Sequence, residues 1–129
     1  MQARAIQLIF WGKEVMRSNP DTLLTTVMLT LRVSKENQAK VLDIYDELSV
    51  LQTSMTLQGA VDTWLALAED DETIVVFTRW SSAEAYAGWT HHPHRAEIIF
   101  RLQPHLLSAP IATFFVPPDN KRAYLCVAD

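Results

Sequence analysis

At 129 residues the chain is long enough for one domain with some margin for tails. Its 49 % hydrophobic and 20 % charged residues suit a folded globule, and a net charge of −4 leaves no basic footprint for nucleic acid or an anionic membrane. The single cysteine, Cys126, excludes an internal disulfide and a cysteine-rich zinc site, and no apolar run approaches the roughly 20 residues that span a bilayer. A reducing cytoplasm is the expected setting.

Residues 1–25 read as an N-terminal extension. Its apolar segment, Ile6 to Trp11, is brief, is followed by Lys13, Glu14 and Arg17, and lacks a small-residue cleavage site, so no signal peptide is expected. Ile6, Ile9 and Phe10 fall at helical spacing and Asn19-Pro20-Asp21 marks a turn. The extension is expected to be a helix or arm packed on the domain or on a partner subunit, with a lid as the alternative.

The domain proper is expected over residues 26–117. Thr26 to Val33 alternates, with Val27, Leu29, Leu31 and Val33 on one side, which predicts a strand. Ser34 stands as the N-cap of a long amphipathic helix, in which Val41, Ile44, Tyr45, Leu48, Leu51 and Met55 step by threes and fours. Asp43, Asp46 and Glu47 form its solvated side. Gln58-Gly59 marks a turn into a second strand, Ala60 to Ala68. The run Glu69-Asp70-Asp71-Glu72 lacks the alternating ligands and glycine of a calcium loop and reads as a solvated hairpin turn.

Thr73 to Trp80 is a third strand, short, apolar and β-branched. Ser81 or Ser82 then caps a helix ending at Trp89, with Glu84 in its first turn. Pro93 interrupts that helix, helical spacing resumes from His94 through Ile98, Ile99, Leu102 and Leu106, and Pro104 kinks or ends it. IATFFV, after Pro110, is a fourth strand closed by Pro117-Pro118, and residues 118–129 form a C-terminal tail.

The order β-α-β-β-α-β predicts an α+β, ferredoxin-like fold, a four-stranded antiparallel sheet with helices on one side. The other side would carry residues such as Met28, Trp64, Val75, Phe77 and Phe114, depending on register. Such a face is too apolar to stay wet, so a homodimer stacking sheet on sheet is expected.

Aromatic and titratable groups concentrate at one strand-to-helix junction: Trp80, Tyr86, Trp89, His91, His92 and His94. The plain reading of Trp80 and Tyr86 is packing, and that of His94 is a loop histidine capping the next helix; the functional reading is a pocket with His94 as a base. A metal needs converging ligands, and beyond this cluster only His105 is available, so none is expected. No glycine-rich phosphate loop exists, which argues against a nucleotide cofactor. Arg32 and Arg79, at strand ends, are expected to pair with acids at a dimer seam, with substrate contact as the alternative.

The stretch VVFTRWSSAEAYAGWTHHPH resembles the strand–Trp–Ser–helix–His-Pro signature of the antibiotic biosynthesis monooxygenase family, small dimeric α/β-barrel proteins. The resemblance runs from Thr26 to Pro117 and implies that barrel. In the family's anthrone monooxygenases a Trp ends this strand and a Tyr follows on the helix; Trp80 and Tyr86 match. The activity so implied is oxidation of a phenolic or anthrone substrate by O₂ with no cofactor, metal or flavin. An apolar pocket desolvates the substrate, polar groups take the phenolic proton, and the electron-rich substrate itself reduces O₂.

Where those oxygenases carry an Asn, a His and an Arg, this chain has Val76, Ala66 and Ile99, so Arg32, Arg79, His91, His92, His94 or Arg95 would have to substitute. The expected catalytic residues are Tyr86, His94 and Arg32, with Trp80, Trp89, Arg79 and His92 holding the substrate. A related cyclase or isomerase, or a non-catalytic small-molecule-binding or stress-associated member, are the alternatives. The haem-degrading branch fits less well, because Leu31 and Ile99 stand where it carries an Asn and the axial His.

Overall fold

In the computed structural model, which describes residues 24–115, burial alternates strictly along the strand Thr73–Trp80 (β3): Ile74, Val76, Thr78 and Trp80 are buried and the residues between them half-buried. A period of two means one side of this strand meets the core and the other does not. Thr25–Arg32 (β1) pairs antiparallel with it, placing Val27 opposite Thr78, Leu29 opposite Val76 and Leu31 opposite Ile74 on that same inner side. Ala60–Leu67 (β2) and Ile111–Phe115 (β4) complete an antiparallel sheet in the order β2-β3-β1-β4.

The inner side is roofed by Gln38–Glu47 (α1), Val50–Ser54 (α2), Ala83–Thr90 (α3) and Pro93–Leu102 (α4), with 3₁₀ turns at Lys35–Asn37 and Gln103–His105. Val41, Ile44, Tyr45, Ile98 and Leu102 pack down on Val27, Leu31, Ile74 and Trp80 to form the core. This is the expected α+β ferredoxin-like arrangement. Among the described residues no helix is long and apolar enough to cross a membrane. The expectations for residues 1–23, for Val116 onward and for the tail at 118–129 lie outside the described residues.

Two local expectations change. The helix from Ser34 to Met55 is not continuous: Ser49 adopts a left-handed backbone with φ 48°, and the chain restarts as α2. A β-carbon in that region costs about 1–2 kcal/mol, and after the break Val50 and Ser54 are fully buried while Leu51 packs half-buried against the core. Ser34 precedes the first 3₁₀ turn but makes no side-chain cap. Ser82, by contrast, caps α3 by accepting from the Ala85 amide at 3.1 Å.

The second change concerns Phe114. It pairs with Val27 and therefore points to the helical side, where its ring meets Tyr86 edge-on at 5.4 Å. The outer side carries Met28, Trp64, Val75, Phe77, Ile111 and Phe115. Trp64 stacks on Phe77 at 4.8 Å yet stays 45 % exposed, and Ile111 is 57 % exposed, so the outer side is apolar and open within one chain.

The acidic hairpin is a self-satisfied turn. Asp70 accepts from the Glu72 amide and the Thr73 hydroxyl, both at 2.8 Å, and these bonds, the amide first, hold its carboxyl below the usual range.

Candidate functional site

Between the inner side of the sheet and the helices lies a hollow of about 30 Å³. Its sheet wall is aliphatic, with Val27, Leu29 and Val76, and Thr78 supplies one hydroxyl. Its helical walls carry the chemistry: Tyr45 from α1, Tyr86 and Trp89 from α3, and Arg95 from α4. Val50, Ile98 and half-buried Leu51 and Ile99 add aliphatic surface, and Ser54 adds a hydroxyl that donates to the Leu51 carbonyl at 2.8 Å.

Tyr86 and Trp89 are three residues apart on α3 and so share the helix side that faces the sheet. Glu84 in the first turn and the Ser82 cap fix where that helix begins. Trp80 sits one layer behind. It is fully buried, donates from Nε1 to Thr78 Oγ1 at 2.9 Å, and meets the Tyr86 ring at 5.9 Å. It therefore orients Thr78 and backs Tyr86 without lining the hollow.

Arg95 stands where a cation is costly. Its guanidinium carbon lies 5.9 Å from the centre of the Trp89 ring, a cation–π arrangement, and its buried Nη1 finds no hydrogen-bond acceptor among the described residues. Tyr45 faces the same space. Burial pushes its phenol up to about 12, against the opposing pull of the Arg95 charge, so the hydroxyl keeps its proton at neutral pH.

The other expected site residues lie elsewhere. Arg32 pairs with Glu72 at 2.7 Å at one end of the sheet, and Arg79 forks onto both carboxylate oxygens of Asp62 on the outer side. The bond to Asp62 raises the Arg79 pKa further. His92 caps α4 by accepting from the His94 amide at 3.1 Å, and its ring lies 5.8 Å from Trp89. His94 bridges elements, with Nε2 at 2.8 Å from the Leu48 carbonyl and Nδ1 at 3.3 Å from Glu97. Both histidines shape the α3–α4 junction, which positions Trp89 and Arg95, and neither lines the hollow. Among the described residues no three His, Cys, Asp or Glu side chains converge as a metal site would require.

Of the seven residues expected at a site, the structure thus brings Tyr86 and Trp89 together, with Trp80 behind them. It adds Tyr45 and Thr78, and of the polar substitutes named from the sequence it brings Arg95 to the hollow. Arg95 carried a legible signal: it lies three residues before Ile98 and seven before Leu102, a charge on the buried stripe of its helix.

A sheet roofed on one side by helices, with an aromatic-walled hollow between, defines a ferredoxin-like α+β protein whose site sits beneath its helices. Residues 25–99 match the antibiotic biosynthesis monooxygenase (ABM) family, and the chain belongs to that family. Among solved structures it is similar to Rv0793 from Mycobacterium tuberculosis, at 16 % identity and TM-score 0.65 over 73 % of this chain and 94 % of that one. A conserved protein of Bacteroides thetaiotaomicron, described as a possible oxidoreductase, aligns at 17 % identity and TM-score 0.63 over 74 % and 98 %. SnoaB, a cofactor-independent oxygenase from Streptomyces nogalater, aligns at 14 % identity and TM-score 0.60 over 74 % and 93 %. At such identities the likeness is one of fold. No curated protein matches the sequence.

Proposed function

We propose that this chain is a cofactor-independent ABM-type monooxygenase acting on a small phenolic or hydroquinone-like compound with O₂, working as a cytoplasmic homodimer. The observation that carries the reading is that Tyr86 and Trp89 wall one buried hollow, with Trp80 fixed behind Tyr86. An apolar space strips water from an aromatic substrate, the Trp89 face supports its ring, and the Tyr86 hydroxyl orients its oxygen. The ionised substrate then supplies the electrons that reduce O₂. Pairing of two outer sheet sides covers Trp64, Phe77 and Ile111, the apolar surface that one chain leaves open.

A second reading has its own observation. A hollow of about 30 Å³ admits a few atoms, and a whole ring enters only if its lining parts. That restriction favours a member of the fold that binds a small ligand without oxidising it.

Metal-free protein incubated with an anthrone or a hydroquinone under O₂ separates the two. Oxygen uptake above the protein-free rate, falling about tenfold or more in Tyr86→Phe, is the expected result for an orienting hydroxyl. Saturable binding with no oxygen uptake refutes the oxygenase and establishes the second reading.

A further inference from the structure

We infer that the hollow takes its ligand as an anion, with a carboxylate or phenolate oxygen accepting from Nη1 of Arg95. The inference rests on the reading of this hollow as the ligand site, and it adds the charge of what binds there.

A guanidinium in an apolar space is costly unless it is paired and hydrogen-bonded. Arg95 is half-buried, and the buried end of its guanidinium has neither form of compensation. Nη1 is buried with no acceptor among the described residues, and no carboxylate among them lies within ion-pair distance of it. Two acids on α4 and the adjoining α1 are engaged elsewhere: Glu97 faces His94, and Glu47 binds Arg101 at 2.6 Å. Tyr45 keeps its proton and supplies no counter-charge. The Trp89 ring offers its π face alone, and a π face satisfies no N–H as a carbonyl or carboxylate does.

The surroundings of Arg95 also select the ligand's form. Among the described residues Arg95 is the one cation lining the hollow, beside aliphatic walls and an indole face, so a singly charged oxyanion on a flat apolar body matches it better than a multiply charged phosphate or sulfate. The volume of about 30 Å³ suits a carboxylate group without rearrangement. Arg95 lies in the first turn of α4, where the backbone dipole also favours negative charge.

Formate and formamide share a shape and differ in charge, which makes them the probes. The full-length ¹⁵N-labelled chain is titrated with each while the indole N–H of Trp89 is followed by NMR. Formate is expected to shift that signal saturably and formamide at equal concentration is not. Arg95→Gln is expected to weaken formate binding about tenfold or more, and Arg95→Lys to retain most of it. Equal responses to the two probes, no saturable response to formate, or unchanged affinity in Arg95→Gln each overturn the inference. If Arg95→Gln loses its dispersed spectrum, the two probes on the native chain decide. Oxygen uptake is measured on the same samples. Formate binding without turnover refutes the oxygenase reading alone, and turnover without formate binding refutes this inference alone.

Discussion

Replacing Gly59 by alanine strikes the seat of α3, the helix that carries Tyr86 and Trp89 of the hollow. Gly59 has φ +91°, where a β-carbon costs about 1–2 kcal/mol. A methyl there would lie 2.5 Å from Ala85 Cβ and 2.9 Å from Ser81 Oγ. Carbon atoms settle at roughly 3.5–4 Å, so the start of α3 must move by about an ångström, an overpacking cost of about 1–3 kcal/mol. The Gly59 carbonyl also accepts from the Ser81 amide at 2.7 Å, which ties the two segments and limits their freedom to part. Gly59→Ala is therefore expected to destabilise by about 2–5 kcal/mol, a large share of the 5–15 kcal/mol typical of a domain.

Gly88 is the internal control. It lies within α3, and a β-carbon there meets nothing within 4 Å, so Gly88→Ala should stabilise by about 0.5–1 kcal/mol through helix propensity alone. Urea unfolding followed by tryptophan fluorescence measures both. Adding Ala85→Gly to Gly59→Ala should recover the steric share and leave the backbone share, minus the helix cost of the new glycine. A Gly59→Ala variant within 0.5 kcal/mol of the native chain, or a Gly88→Ala variant that loses as much as Gly59→Ala, refutes the argument.

Tyr45 gives a prediction in pH. Its folded-state pKa is raised to about 12 from 10.0, so the stability it contributes is complete below pH 10 and disappears as pH rises through 12. The loss of about 2–3 kcal/mol across that window should be absent in Tyr45→Phe, measured by urea unfolding at pH 9 and 11.5; parallel curves for the two chains would count against a buried phenol. On the outer side of the sheet, Trp64→Glu places a charge on the proposed pairing surface, against Phe77, and should convert a dimer to a monomer in sedimentation while leaving the far-ultraviolet spectrum unchanged. A native chain that sediments as a monomer at tens of micromolar removes the need for that surface to be covered.

Sequence periodicity was enough to place the four strands and the helical segments in order, though not the break at Ser49, because strands and helices announce themselves through local spacing. Ile74, Val76 and Trp80 mark the buried side of β3 by alternation, and Ser82 with Glu84 marks the start of α3. The composition around Trp80, Tyr86 and Trp89 also pointed to the junction where two of these side chains wall the hollow, since all three are fixed to one strand and the helix that follows it. What lay beyond reach were relations between distant segments. Phe114 changed sides because its direction depends on pairing with Val27, 87 positions away, and not on its neighbours in the chain. Arg32 went to an acid of the β2–β3 turn and Arg79 to one on the outer side, while Arg95 reached a hollow walled by Tyr45, a residue from another helix. Local spacing sets which way a side chain leaves its own element; only the packing of sheet against helices decides which charge is left there without a partner.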